Sequence, residues 1–281
     1  MVRVGIINVS GYAGSELARL LWQHPGVKLV AATGRAAAGQ KLGDVFPHLA
    51  DFDLDVTAEL GDVDLVFSAM PHKASCEAIV PLHRRGIKVI DISADFRLKQ
   101  AAQYQEWYQF VHPYPELLGE AVYGLSEIYR SEVSRAKLIA NPGCYPASAL
   151  LALAPALKAG VVRPEVIVDS KSGISGAGRA LSLATHFCEA SDSVSAYSLE
   201  GHRHLPEIVQ EMTALAGTAV SVTFVPHLVP MTRGILSTCY APIKQGALPL
   251  NDRGQKKLRE LYHSFYRGEP FVRVMDDPPQ T

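Results

Sequence analysis

The stretch VRVGIINVSGYAG, Val2–Gly14, decides the fold class of this chain. Residues 2–9 form an apolar run rich in β-branched side chains, which predicts a buried strand. A glycine-containing turn follows, and residues 15–23 carry leucines at helical spacing before Pro25 and Gly26 end the pattern. Strand, glycine-rich turn and helix in this order are typical of the first unit of a doubly wound parallel sheet.

The rest of the chain shows two different patterns of predicted secondary structure. Further strands and a helix alternate through the first half, at 27–32, 63–69, 75–85 and 87–92. Alternation of this kind predicts a Rossmann-type parallel sheet. After about residue 139, strand-like runs separated by long polar loops occur at 166–169, 220–226, 235–242 and 271–275. These predict an α+β domain with a mostly antiparallel sheet, so we expect domains at 1–143 and 144–281.

Composition excludes several classes of protein. The chain has 281 residues, 27 Lys+Arg and 28 Asp+Glu, so its net charge of −1 lacks the basic excess expected of a nucleic-acid or anionic-lipid binder. No apolar run approaches the ~18 residues of a membrane span. Four cysteines in a chain of this length do not make a disulfide framework. We therefore expect a cytoplasmic globular protein without nucleic-acid or membrane partners.

The first turn indicates a dinucleotide site. Gly5, Gly11 and Gly14 occur where a pyrophosphate approaches the backbone and a helix N-terminus offers N–H donors, although a plain tight turn stays possible. The second strand ends without the carboxylate that holds an NAD ribose. Thr33 and Arg35 stand there instead, and a guanidinium suits a 2′-phosphate. The pattern favours NADP, with a solvated surface arginine as the alternative for Arg35.

Cys144 is the strongest candidate nucleophile. The sequence Asn-Pro-Gly before it places the thiol on a turn at a helix start, where the helix dipole favours thiolate. His204 is a candidate proton shuttle, and Glu207, three residues later, would orient it if a helix begins nearby. The alternatives are a metal held by His202 and His204, although no further ligands cluster with them, and two surface histidines with no role. We expect the remaining cysteines to be packing residues.

Three loops follow predicted strands and carry polar groups. Residues 172–179, SGISGAGR, could hold an anionic substrate group through backbone N–H groups, two hydroxyls and a guanidinium, or could be a flexible surface loop. Residues 71–75, PHKAS, should face the cofactor cleft. Residues 91–97, DISADFR, could contact substrate or form a salt-bridged turn.

Seven motifs in this order resemble the N-acetyl-gamma-glutamyl-phosphate reductases of arginine biosynthesis, over nearly the whole chain. They are SGYAG at 10–14, PHKAS at 71–75, DISADFR at 91–97, YGLSE at 123–127, NPGCYP at 141–146, SGISGAGR at 172–179 and GHRHLPEI at 201–208. The resemblance implies an NADP-binding Rossmann domain, a glyceraldehyde-3-phosphate-dehydrogenase-like catalytic domain, an acyl-phosphate substrate and a homodimer or homotetramer. It also implies NADPH-dependent reduction of N-acetyl-gamma-glutamyl phosphate to the 5-semialdehyde through a cysteine thioester.

The resemblance assigns roles to residues. It makes Cys144 the nucleophile, His204 the acid/base and Glu207 the residue that orients His204. Expected cofactor contacts are Ser10, Gly11, Tyr12, Ala13, Gly14, Thr33, Arg35, Pro71, His72, Ser175 and Gly176. Expected substrate contacts are Arg97, Asn141, Ser172, Arg179 and His202. No metal is expected.

Two departures from the family pattern stand out. Asn8 replaces a glycine common in the first loop, and family members continue past the Pro-Gln-Thr at 279–281, so we expect a C-terminally incomplete catalytic domain. Three other activities stay open at this point. They are an aspartate-semialdehyde dehydrogenase-like enzyme, a non-catalytic NADP-binding regulator and a cysteine hydrolase, the last disfavoured by the glycine-rich N-terminal unit.

Overall fold

A computed structural model describes all 281 residues, which divide into two compact units. The N-terminal unit contains residues Met1–Gly124 and Ser131–Pro142. The C-terminal unit contains Leu125–Arg130 and Gly143–Thr281. None of the helices is long and apolar enough to span a membrane.

The elements are numbered in chain order. The strands are β1 (Val2–Ile7), β2 (Val27–Thr33), β3 (Val56–Thr57), β4 (Leu65–Ser68), β5 (Lys88–Asp91), β6 (Val122–Tyr123), β7 (Leu138–Ala140), β8 (Glu165–Ser172), β9 (Ser195–Ala196), β10 (Ser221–Leu228) and β11 (Ile235–Tyr240). The α-helices are α1 (Tyr12–Trp22), α2 (Leu42–Val45), α3 (Ala74–Arg84), α4 (Ala101–Tyr108), α5 (Ser126–Arg135), α6 (Cys144–Lys158), α7 (Phe187–Ala190), α8 (Leu205–Ala216) and α9 (Asp252–Phe265).

The N-terminal unit is a seven-stranded sheet in the order β3-β2-β1-β4-β5-β7-β6, and every pairing is parallel. Its central strands are short apolar runs, as expected where both faces are covered. Val4, Ile6 and Val66 are fully buried between the helices. The strand order reverses between β1 and β4, and ligands of such sheets bind at the carboxyl ends of the strands at this switch point. The predicted Rossmann-type domain is confirmed.

The C-terminal unit is a four-stranded sheet in the order β11-β8-β10-β9. Alternate residues of β8 are buried, which turns one sheet face toward α6 and leaves the other exposed. β11 and β9 pair antiparallel with their neighbours, as predicted, whereas β10 pairs parallel with β8 over eight residues. The sheet is therefore mixed.

One predicted strand is wrong. Residues 271–275 form no strand, and the segment begins within a turn in which Val272 N donates to Glu269 O. Phe271 is 89% exposed. The run has β-forming side chains but no neighbouring strand to pair with, and β propensity alone does not stabilise a strand.

Candidate active site

The turn between β1 and α1 is built for close approach of a ligand. A Cβ at Gly14 would lie 2.6 Å from the Asn8 backbone oxygen, so only glycine lets α1 pack this closely on the turn. A Cβ at Gly11, the N-cap of α1, would meet nothing within 4 Å. The first turn of α1 has no acidic side chain, so its N–H groups and dipole are available to an anion. The expected contacts Ser10, Tyr12 and Ala13 lie next to Gly11 in the chain, and their cofactor role stays a prediction.

Asn8 fits the turn although it replaces a glycine. Its φ of 65° is left-handed, a conformation that asparagine tolerates better than most residues. Its side chain points back to the sheet, where Nδ2 donates to Ala69 O at 2.9 Å, and Oδ1 accepts from Ser10 Oγ at 3.3 Å. The asparagine therefore braces the turn.

The end of β2 suits a 2′-phosphate. Thr33 is buried, and its Oγ1 accepts from the Asn8 N–H at 3.4 Å. Arg35 is exposed at the start of a short 3₁₀ turn, Arg35–Ala37. Residues 31–35 contain no carboxylate to repel a phosphate. These residues fit NADP.

The N-terminus of α3 is already occupied by a protein carboxylate. Asp95 is fully buried, and its two oxygens accept from Lys73 N at 2.8 Å and Cys76 N at 2.9 Å. This cap satisfies N–H groups that would otherwise attract a ligand anion. Pro71 is exposed, and His72 packs against the Tyr108 ring at 5.7 Å. Of the two loops at the switch point, the β1–α1 turn is the better phosphate site.

A second buried carboxylate ends β5. Asp91 accepts from Ser75 Oγ at 2.6 Å, from Ser93 Oγ at 2.7 Å and from Ser93 N at 3.0 Å. Burial raises the pKa of Asp91 to about 6, against the lowering effect of these hydrogen bonds. The network stabilises the loop that leads to Arg97.

Arg97 braces the backbone of the turn at Asn141. Its side chain is buried, with Nη2 donating to Ile92 O at 2.7 Å and Nε donating to Asn141 O at 2.8 Å. Asn141 Nδ2 donates to Pro142 O at 3.2 Å. The structure therefore gives Arg97 a bracing function, and its expected contact with substrate stays a prediction.

Cys144 is the first residue of α6, and it is exposed. Gly143 is the N-cap and the first turn of α6 carries no acidic side chain, so the positive end of the helix dipole faces the thiol. Burial raises the pKa of Cys76 to about 12 and of Cys239 to about 11, as expected of packing residues. The packing prediction for Cys188 is wrong, since Cys188 is exposed on α7.

His204 and Glu207 begin α8. His204 is the N-cap and Glu207 lies in the first turn, so the helix start predicted near Pro206 is present. Glu207 is fully buried, and its Oε1 accepts from the Gly143 N–H at 2.8 Å. This hydrogen bond joins the α8 N-terminus to the residue that precedes Cys144. The expected orientation of His204 by Glu207 stays a prediction.

His202 lies in a cluster of rings. Its ring centroid is 4.8 Å from that of His204 and 5.4 to 5.6 Å from those of Tyr145, Tyr197 and Phe224. Its Nδ1 accepts from the His204 N–H at 3.0 Å. Burial, assisted by Arg203, lowers its pKa from 6.5 to about 4. His202 is therefore neutral near pH 7, with the hydrogen on Nε2.

The loop at 172–179 differs from its predicted use in one respect. Its backbone N–H groups donate to protein carbonyls: Gly173 N to Gly234 O, Ile174 N to Met231 O and Ser175 N to Thr232 O. These three N–H groups are therefore committed to the protein, and the expected anion contact of the loop stays a prediction. Ser172 is buried, and Arg179 is exposed. The expected cofactor contacts of this loop, Ser175 and Gly176, stay predictions. The same holds for its expected substrate contacts, Ser172 and Arg179.

No group of three or more His, Cys, Asp or Glu side chains is arranged to hold a metal ion. Sequence reasoning missed two features of the site. One is the ring cluster, although Tyr145 stands beside Cys144 in a motif already singled out. The other is the Glu207–Gly143 hydrogen bond, which joins residues 64 positions apart and leaves no local signal.

Models of two protein families cover the chain. Residues 3–136 match the semialdehyde dehydrogenase NAD-binding domain, and residues 144–281 match the semialdehyde dehydrogenase dimerisation domain. The structure of aspartate semialdehyde dehydrogenase II from Vibrio cholerae, complexed with ASA, has the same fold, with a TM-score of 0.66 at 15% identity over 94% of this chain and 78% of that one. The fold and site thus define a semialdehyde dehydrogenase-type oxidoreductase.

Closer relatives narrow the class. An N-acetyl-gamma-glutamyl-phosphate reductase of Dehalococcoides mccartyi is 54% identical over 99% of this chain and 81% of its own length. One from Heliobacterium modesticaldum is 46% identical over 100% of this chain and 82% of its own length. The chain belongs to the N-acetyl-gamma-glutamyl-phosphate reductase family.

Proposed function

We propose that this chain reduces N-acetyl-gamma-glutamyl phosphate to N-acetylglutamate 5-semialdehyde with NADPH, a step of arginine biosynthesis. The observation that carries the proposal is the exposed Cys144 thiol at the N-terminus of α6, in a chain of the N-acetyl-gamma-glutamyl-phosphate reductase family. We assign cofactor binding to residues 1–143, and catalysis and self-association to residues 144–281. The matched dimerisation domain supports a homo-oligomer, which we propose to be a dimer or tetramer.

The β1–α1 turn would hold the pyrophosphate of NADP, and Thr33 and Arg35 the 2′-phosphate. When bound, NADPH supplies a hydride. Pro71, His72, Ser175 and Gly176 are the further cofactor contacts in this proposal. We propose a cytoplasmic location, where reducing conditions keep a thiol nucleophile such as Cys144 reduced.

The chemistry begins with the thiolate. Cys144 attacks the acyl carbon, and the bond between that carbon and the phosphate oxygen breaks. Phosphate departs, and the acyl group remains on Cys144 as a thioester. After hydride addition to the thioester carbonyl, His204 donates a proton to the oxyanion. The thiohemiacetal then collapses to the semialdehyde and returns the Cys144 thiol.

His202 cannot serve as a second acid near neutral pH, because its Nδ1 accepts the His204 N–H. We propose it as a substrate contact through Nε2–H. Arg179, Ser172, Asn141 and Arg97 complete the proposed substrate side. Their cationic and polar groups suit the carboxylate and phosphate of the substrate.

The test is turnover of two acyl phosphates side by side, N-acetyl-gamma-glutamyl phosphate and aspartyl phosphate, with wild-type enzyme and Cys144→Ser. We expect preference for the first substrate and loss of turnover in the variant by at least ~10³-fold, since the nucleophile is gone. NADPH binding should persist in Cys144→Ser. Preference for aspartyl phosphate would contradict the substrate assignment, and an active Cys144→Ser enzyme would contradict the thioester.

A further inference from the structure

The residue before the nucleophile is held by a buried carboxylate from another helix. Gly143 is buried, and as the N-cap its N–H has no acceptor within α6. A buried backbone N–H needs a partner. Glu207 Oε1 is that partner, at 2.8 Å.

The surroundings of Glu207 explain how a fully buried carboxylate is tolerated. Glu207 lies in the first turn of α8, so the positive end of that helix faces it. The bond to Gly143 also brings it to the N-terminus of α6. Two helix N-termini therefore converge on one carboxylate.

This contact links the two turns that carry the reacting groups of the proposed function. His204 is the N-cap of α8, three residues before Glu207, and Cys144 directly follows Gly143. The Glu207–Gly143 bond thus ties the turn that carries the acid/base to the turn that carries the nucleophile. We propose that Glu207 is a positioning residue for Cys144, which holds the thiol at the N-terminus of α6. The proposal rests on the proposed role of Cys144 as nucleophile.

The hydrogen bond of Glu207 and its negative charge have opposite effects on thiolate formation at Cys144. The bond to Gly143 keeps Cys144 in the favourable field of the helix N-terminus, which favours thiolate. The negative charge disfavours a thiolate nearby. Glu207→Gln keeps an oxygen that accepts from Gly143 N–H and removes the charge. Glu207→Leu removes both.

The experiment measures the rate of Cys144 alkylation by iodoacetamide against pH, with modified peptides identified by mass. It uses the full chain in a Cys188→Ser background, because Cys188 is the other exposed thiol. Tyr145 and Tyr197 interact electrostatically with Cys144, but burial raises both of their pKa values, so they stay neutral in the assay. His202 is likewise neutral above its pKa of about 4.

We expect the midpoint pH of alkylation to rise by about one unit in Glu207→Leu, the size of a helix-terminus effect. In Glu207→Gln the midpoint should stay or fall. The matched control is Glu211→Leu, which removes another buried carboxylate of α8 that accepts from Tyr129 Oη at 2.6 Å. Its midpoint should match that of the background.

A midpoint that falls in both Glu207 variants, or moves in neither, would overturn the proposal, as would an equal rise in Glu211→Leu. If Glu207→Leu fails to fold, Glu207→Gln still tests the proposal. A rise of the alkylation midpoint in Glu207→Gln would contradict the positioning role of Glu207. Alkylation uses no substrate. A chain that shows the expected pattern but does not reduce the acyl phosphate would contradict the proposed function and leave the positioning role standing.

Discussion

His202 and His204 are near neighbours, but their surroundings suit them to different chemical roles. His202 is enclosed by rings, and its Nδ1 is committed to the His204 N–H. Protonation of Nδ1 would place two hydrogens against each other. His202 therefore serves as a neutral group, and proton transfer in our mechanism falls to His204.

His202 should make stability depend on acid. Its pKa of about 4 in the folded chain is below its ordinary 6.5, so the unfolded chain binds the proton more tightly. The contribution of neutral His202 to the free energy of unfolding is complete above pH 6.5 and is lost as the pH falls toward 4. In urea unfolding between pH 7 and 4.5, His202→Phe should flatten the pH slope of the free energy, by at most about 1.4 kcal/mol per pH unit. Equal slopes in the two proteins would show that His202 is not responsible.

Arg35 should determine the choice of cofactor. Arg35→Ala removes the proposed partner of the 2′-phosphate, and a hydrogen bond to a charged group contributes about 1.5–3 kcal/mol. The KM for NADPH should therefore rise at least ~10-fold, while that for NADH changes little. Arg85→Ala, another exposed arginine of the same unit, is the control. A similar rise for both cofactors in Arg35→Ala would argue against the contact.

Among the elements, the β1–α1 turn contains one glycine that the packing requires and one that leaves open space where the proposed cofactor would bind. Gly14 has backbone atoms within 2.6–2.8 Å of where a Cβ would be, whereas Gly11 has none within 4 Å. Gly14 therefore permits α1 to pack closely on the turn. Gly11 leaves open space at the N-terminus of α1.

Substituting these two glycines should have separable effects. Gly14→Ala should lower the free energy of unfolding by about 1–3 kcal/mol, because the helix must shift. Gly11→Ala should cost less than about 1 kcal/mol, the effect of changing an N-cap, yet weaken NADPH binding. Urea unfolding and fluorescence titration with NADPH measure the two quantities. Normal NADPH affinity in Gly11→Ala would place the pyrophosphate elsewhere.

The elements also show why some of the structure was predictable. The first sheet follows from local signals, since an apolar run, a turn and a helix succeed one another along the chain. The parallel pairing of β8 with β10 joins distant segments and has no such signal. The same holds for the Glu207–Gly143 bond. The strand predicted at 271–275 is wrong because side-chain type does not reveal whether a partner strand exists.

At the scale of the whole molecule, each unit supplies one part of the proposed reaction. The N-terminal unit offers an open helix N-terminus and an exposed arginine at the end of β2. The C-terminal unit offers the thiol, the histidine and the buried carboxylate that accepts from the Gly143 N–H. The central claim is that Cys144 carries the acyl group between the two half-reactions.

The most direct test runs the reaction in reverse without phosphate. N-acetylglutamate 5-semialdehyde and NADP are mixed with enzyme, and NADPH absorbance is followed. The account predicts a burst of about one NADPH per chain and an acyl group on the Cys144 peptide, because the thioester forms and then waits for phosphate. Added phosphate should start steady turnover. A burst that persists in Cys144→Ser, or steady turnover without any acyl group on Cys144, would contradict the account.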